Sequence, residues 1–185
     1  MLNYDNIIEQ YYTPGTALHA MLVEHSRQVT ELALRLTMRY NVRHRDAIDL
    51  QFVREAAMLH DIGIIGTDAA GIHCHGSAPY ICHGTIGAEM LRTHDLPRHA
   101  LVCERHTGTG LTLTDIEQRH LPLPHRDLLP VSLEEKVICY ADKFFSKTHL
   151  GEPPRTIERV KRSLEKFGED TVTRLDELIA LFGLP

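Results

Sequence analysis

Apolar residues in this chain recur every three or four positions, and nowhere do they alternate with polar ones over the length of a strand. That period is what a helix with one buried face requires, whereas a half-buried strand needs a period of two. The clearest stripe is Leu18, Leu22, Val29, Leu32 and Leu36, behind Thr16 as an N-cap, and it predicts a long helix over residues 16–40. Ile48, Phe52, Ala56 and Leu59 predict a second over 46–60, and shorter helices are expected over 83–95 and 97–107. Ser132, with Glu135 three residues on, reads as a capping box for a helix running to 147, short of the Pro153–Pro154 pair. Two amphipathic helices follow, one on Ile157, Val160, Leu164 and Phe167, the other on Val172, Leu175, Leu178, Ile179 and Phe182, with Gly168 between them. The expected fold class is all-α, one domain over residues 1–185 with its core at about 16–148 and the amphipathic helices at 155–183. Residues 63–82, 108–113 and 121–131 are expected to be irregular; the first is long for a plain connection, which favours a functional part.

Charge and composition narrow the function classes. Lys and Arg number 20 against 25 Asp and Glu, a formal charge of −5, which argues against a protein that coats a nucleic-acid polymer or an anionic membrane. No apolar run approaches the roughly 20 residues a membrane span needs, and the first residues lack the basic start and apolar run of a secretory signal. Cys74, Cys82, Cys103 and Cys139 form no C-x-x-C pair, so reduced thiols and a cytoplasmic protein are expected.

The 13 histidines, beside no tryptophan, demand a chemical explanation. His25 falls inside the longest apolar stripe, where an unpaired polar group costs about 2–7 kcal/mol. His60 and Asp61 end the second stripe, ahead of Ile62 and of Gly63, which is expected to let the helix unwind so that adjacent side chains converge. Asp142 lies between Ile138 and Phe145, His83 opens a helix, and His106 follows Val102 by four. Alone, His25 reads better as a core histidine bonded to a backbone carbonyl, while the Asp142 carboxylate needs a cation or a donor beside it. Together these residues interrupt five helices, and imidazole with carboxylate suits Fe, Mn, Zn or Co rather than Ca. One ion rarely takes more than four protein ligands when it must also hold substrate, so six ligands suggest two ions sharing a carboxylate.

H25-S-R-Q-V, H60-D61-I-G-I, H83-G-T-I-G-A, E-R-H106-T-G and V137-I-C-Y-A-D142-K together resemble the HD-domain superfamily of metal-dependent phosphohydrolases, in its dinuclear branch. The closest local likeness is to the bacterial HD-type diadenosine tetraphosphate hydrolases, from which residues 63–82 and the L-P-L-P segment at Pro122 and Pro124 depart. The resemblance implies a first metal on His25, His60, Asp61 and Asp142, and a second on His83 and His106, with Asp61 bridging. It implies two divalent or redox-active transition-metal ions, Fe, Mn or Zn. It also implies cleavage of a phosphoester or phosphoanhydride of a nucleotide or other small phosphorylated molecule by a metal-activated hydroxide. Asp61 and Lys143 take the catalytic roles in this reading, and Arg105 touches substrate; Lys143 and Arg105 read equally as ordinary surface cations. The same ligand order also resembles HD-type di-iron oxygenases, and a non-catalytic metal- or nucleotide-sensing module stands as a third reading.

Residues 71–83 hold His73, Cys74, His75, Cys82 and His83. The spacing is not that of a zinc finger; a lid whose His73 or His75 touches substrate and a merely polar surface loop are both open. His19, His44, His94, His99, His120, His125 and His149 are expected on polar faces or near helix ends, and Cys103 and Cys139 in the core. The expected partner is a small phosphorylated or nucleotide substrate, with no membrane and no nucleic-acid polymer, and the last two helices could form a homodimer.

Overall fold

A short helix, α1 (Tyr4–Tyr11), leads into the longest element, α2 (Ala17–His44). In this computed structural model, which describes residues 2–45 and 47–185, α2 opens as expected, with the Thr16 side chain accepting the His19 N–H. It runs four residues past the end anticipated and closes at Arg45 in the left-handed region (φ 54°). Helix α3 (Leu50–Leu59) starts at Asp49, whose carboxylate accepts the N–H groups of Gln51 and Phe52; the anticipated start at residue 46 lies outside the described residues. The remaining helices are α4 (His83–Thr93), α5 (Pro97–Arg105), α6 (Leu113–Gln118), α7 (Leu133–Asp142), α8 (Ile157–Glu165) and α9 (Glu169–Phe182). Among the described residues the chain is all-α apart from one small hairpin.

Five departures from these expectations stand out. Helix α1 is absent from the expected elements although Tyr4, Ile7, Ile8 and Tyr11 are spaced as one helical face; α6 has only Leu113 and Ile116 as apolar positions and is held by a reciprocal capping box between Thr112 and Asp115. Residues 63–82 are ordered rather than irregular. Tight turns at Ile62–Gly66, Ala70–Ile72 and Tyr80–Cys82 flank β1 (Asp68–Ala69), which pairs antiparallel with β2 (Cys74–His75), strands too short to show alternation. Helix α7 stops at Asp142, not 147, because Phe144 and Phe145 bond back to Ala141 and Asp142 in tight turns and the Arg155 N–H then takes the Phe144 carbonyl at 2.8 Å. Ser132 does cap α7, but Glu135 does not return the bond: its carboxylate accepts the Val131 N–H and pairs with Arg105, both at 2.9 Å. Phe167, expected on an apolar stripe, lies beyond the end of α8 and is 42% exposed, beneath the cations of Arg119 and Lys166.

Two apolar clusters meet across α2. One gathers Val29, Leu36, Phe52, Tyr140 and Leu175 from α2, α3, α7 and α9; the other gathers Ile8, Leu22, Ile64, Leu91 and Cys103 from α1, α2, the turn after α3, α4 and α5. Each fully buried aliphatic side chain is worth about 1.5–3 kcal/mol, so both clusters hold the seam between them shut. His25 lies on that seam, between Leu22 and Val29. Tyr12 pins the far side of the seam: its hydroxyl donates to the Ile62 carbonyl at 2.6 Å and accepts the Ile65 N–H at 3.1 Å.

Glycine acts here through close approach. A Cβ on Gly63 would lie 2.1 Å from the His83 carbonyl, and one on Gly84 would lie 2.5 Å from the Cys103 carbonyl. Backbone therefore meets backbone between the turn after α3, the start of α4 and the end of α5. The chain unwinds at Asp61 itself (φ −106°, ψ 10°), so the anticipated role of Gly63 in unwinding is replaced by that of a spacer. Among the described residues no helix is long and apolar enough to cross a membrane.

Candidate metal centre

The helix ends that these contacts press together carry the histidines and aspartates. His25 comes from the middle of α2, His60 and Asp61 from the unwinding end of α3, His83 from the first residue of α4, His106 from the end of α5, and Asp142 from the last residue of α7. All six are buried. They form two groups, His25–His60–Asp61–Asp142 and Asp61–His83–His106, in each of which the candidate ligand atoms lie within 4.8 Å of one another.

Asp61 belongs to both because its two oxygens face opposite ways. Oδ2 lies 3.1 Å from His25 Nε2 and 3.0 Å from His60 Nε2. Oδ1 lies 3.6 Å from His83 Nε2 and 3.4 Å from His106 Nε2. Asp142 Oδ1 completes the first group, 3.1 Å from His25 and 3.5 Å from His60.

The backbone dictates the tautomers. Nδ1 of His60, His83 and His106 each lies 2.7 Å from the carbonyl three residues earlier, of Ala57, Tyr80 and Cys103. A carbonyl only accepts, so each Nδ1 carries a proton and each Nε2 is the nitrogen turned inward, a bare lone pair on His83 and His106 and, on His60, the position that a second proton or a metal ion takes. His83 and His106 then bring two such lone pairs to 3.1 Å. Neutral imidazoles in that arrangement repel unless a cation sits between them. His60 Nε2 and both Asp61 oxygens, fully buried, likewise lack an aligned hydrogen bond, as does His25 Nδ1. Orphaned buried groups of this kind cost free energy, and a divalent cation in each group removes most of that cost. The donor set fits transition-metal ions bound by imidazole and carboxylate.

The electrostatics follow from burial and close charge. Burial alone would raise the Asp61 and Asp142 carboxyls; Lys147 beside the first and Lys143 beside the second, with the histidines, hold both well below the usual range. Burial opposes charge on His60, but Asp61 and Asp142 outweigh it and push its pKa up to about 9. His83 has no such surplus of anions: burial and then His106 push it down to about 3. His106 is lowered as well, chiefly by burial.

The other anticipated residues are placed less centrally. The Lys143 ammonium is 2.8 Å from Asp142 Oδ2 and donates to the His106 carbonyl at 3.1 Å, so it braces two candidate ligands. Arg105 is turned to Glu135, at 2.9 Å. His73 and His75 are exposed and belong to neither ligand group. His99, expected on a polar face, is buried against Phe52 and 3.6 Å from Glu55.

Two residues that the sequence did not single out stand at the centre. Lys147 places its ammonium 2.7 Å from Asp61 Oδ2, and Tyr80 stacks on His83 with ring centroids 4.7 Å apart. Lys147 had one sequence signal, a lysine with no acidic residue within four positions. Tyr80 had none.

A profile of the HD domain matches residues 22–146. A protein of Methanocaldococcus jannaschii, described as uncharacterized, is 36% identical over 146 residues, 78% of either chain. Two proteins named tRNA (cytidine(56)-2'-O)-methyltransferase match as well. That of Thermoplasma volcanium is 28% identical over 159 residues, and that of Picrophilus torridus 31% identical over 129. Those matches take in 85% and 68% of this chain but only 40% and 32% of the methyltransferases, so the chain spans less than half their length. No solved structure matches. The matched span takes in all six buried histidines and aspartates, and the chain belongs to the HD domain family.

Proposed function

We propose that this protein is a metal-dependent phosphohydrolase that cleaves a phosphoester or phosphoanhydride of a nucleotide or another small phosphorylated molecule. The reading rests on one observation, the division of Asp61 between two ligand groups, Oδ2 toward His25 and His60 and Oδ1 toward His83 and His106. A carboxylate so placed would hold two cations side by side. Bound Fe, Mn or Zn ions would supply an acidified water and positive charge for the phosphoryl oxygens.

The protein's own groups set up that chemistry. His25, His60, Asp142 and Asp61 Oδ2 would hold one ion, and His83, His106 and Asp61 Oδ1 the other. The carbonyls of Ala57, Tyr80 and Cys103 keep three imidazoles in the ligating tautomer, so their orientation needs no rearrangement on loading. Lys143 fixes the Asp142 carboxylate. Lys147 offers an ammonium beside Asp61, where a phosphoryl oxygen arriving at the centre would meet it. The two apolar clusters keep bulk water out, which strengthens every one of these interactions.

The test is phosphate release without oxygen. Protein loaded with Mn²⁺, Fe²⁺ or Zn²⁺ is offered a panel including nucleoside monophosphates and diadenosine tetraphosphate. Turnover that Asp61→Asn abolishes is the expected result. Intact substrates with metals shown to be bound, or oxygen uptake in place of phosphate release, would overturn the reading.

A further inference from the structure

Beside the centre lies a cavity of about 340 Å³ that the ligand groups leave unused. Two of its walls touch the candidate ligands: Tyr80 stacks on His83, and Lys147 reaches Asp61. Ile72 and Phe145 add apolar surface, and Arg155 adds a second cation. Among the described residues no acidic side chain lines it, although the whole chain carries a formal charge of −5. Lys147 is shared with Asp61, whose charge bound metal ions would take up, and together with Arg155 it gives the cavity a wall that suits an anion.

Both cations are presented from anchored backbone. The turn bearing Lys147 is closed by the His149 N–H on the Ser146 carbonyl at 3.2 Å, and the Thr148 N–H donates to Ser146 Oγ at 3.4 Å. The main chain of Arg155 is bonded to the Phe144 carbonyl at 2.8 Å. A guanidinium matches two phosphate oxygens at once, whereas an ammonium serves as a point charge. Tyr80 remains 37% exposed despite its stack on His83, so its ring has surface left for a flat group. The volume is near the lower end of the roughly 300–1,000 Å³ typical of small-molecule sites, room for one nucleotide.

We propose that this cavity is the substrate chamber and that it takes a phosphomonoester carrying a flat ring, such as a nucleoside monophosphate, with the phosphate between Lys147 and Arg155 and the ring against Tyr80. The identity of the chamber's guest rests on the phosphohydrolase reading only for where the phosphate is attacked; the binding itself is independent of it.

The experiment uses the metal-loaded full chain and three probes: a non-hydrolysable nucleoside 5'-phosphonate, inorganic phosphate and adenosine, followed by calorimetry. The phosphonate should bind at least tenfold more tightly than either part alone. Arg155→Gln should weaken phosphonate and phosphate at least tenfold and leave adenosine unchanged, with Arg155→Lys intermediate. Tyr80→Leu should weaken phosphonate and adenosine and leave phosphate unchanged. Metal content, measured on each variant, should not move; Arg155 lies outside all six candidate ligands and decides the case alone. If Arg155→Gln binds the phosphonate as the parent does, or if phosphate alone binds as tightly as the phosphonate, the chamber is wrong. Should the binding changes appear while no ester is ever cleaved, the hydrolase reading fails and the chamber stands; cleavage without the binding changes is the reverse.

Discussion

The two ligand groups share Asp61 and differ in nearly everything else. The group on His25, His60 and Asp142 holds two carboxylates, with Lys143 and Lys147 drawn in against them. The group on His83 and His106 has two imidazoles and only the far oxygen of Asp61, and among the described residues no lysine is paired with its ligand atoms; Lys143 touches only the main-chain carbonyl of His106. Their titration records the contrast: His60 is pushed up to about 9 and His83 down to about 3. One half attracts positive charge in any form, a proton included; the other rejects a proton and offers bare lone pairs. Buried charges close together interact strongly because little water screens them. The anion-rich half should therefore fill first and more tightly, and the imidazole-rich half second.

The largest effect should come from the shared residue. Asp61→Asn takes a charged ligand from both halves and leaves the Lys147 ammonium facing an amide. We expect elemental analysis to find the bound metal reduced from both halves and affinity lower by well over the 10–100-fold typical of supporting partners. The metal-free variant should also lose about 3–5 kcal/mol of stability, as when one partner of a buried ion pair is removed. Next come the unshared ligands. His83→Ala should cost only the weaker ion, whereas His25→Ala should cost the tighter ion and, with it, the weaker. If His83→Ala empties both halves, the division drawn here is wrong.

Much of this centre is legible in the sequence, for a physical reason. His25 and Asp142 stand in apolar stripes where an unpaired polar group would be costly, so their presence announces a partner. The helices that carry them were legible through the same stripes. Lys147 was not, because α7 ends at Asp142 and a long side chain from an aperiodic turn has no register to read. Arg105 shows the opposite failure: adjacent to His106 in sequence, it leaves α5 in another direction and meets Glu135. His73 and His75 were drawn in by their neighbours in the chain, while the hairpin leaves both exposed. Tyr80 had no pattern at all, since its place depends on the tight turn that precedes α4.

The contrast between the halves can be read with pH. In the metal-free protein His60 is raised from 6.5 to about 9, so its contribution to stability is complete below about 6.5 and is lost as pH rises through 9. His83 is lowered from 6.5 to about 3, so the folded state prefers it neutral; the unfolded chain binds the proton first, and stability falls as pH drops from about 6.5 toward 3. Thermal unfolding of the metal-free protein should thus peak near neutrality and decline on both sides. His60→Gln should flatten the alkaline limb and His83→Gln part of the acid one. Loading the tighter half at neutral pH must expel the His60 proton, so titration in buffers of different ionisation enthalpy should report about one proton released. Release that survives His60→Gln would place the proton elsewhere.

The smallest effect belongs to Lys143, whose ammonium touches both halves, Asp142 Oδ2 in one and the carbonyl of His106 in the other. Lys143→Met sets two effects against each other. It frees Asp142 to rotate, which lowers affinity for the tighter ion, and it removes a positive charge that repels that ion, which raises it. Each is on the order of 1 kcal/mol for a charged hydrogen bond and a partly buried pair. We expect a net change of less than about threefold at the tighter ion, measured by competition with a chelator, and none at the weaker. The His106 imidazole is already oriented by the carbonyl of Cys103 through Nδ1, so losing a contact on its own carbonyl should not turn it. A larger change at the weaker ion than at the tighter one would mean that Lys143 couples the halves, and that their different character is imposed jointly rather than by the ligands each contains.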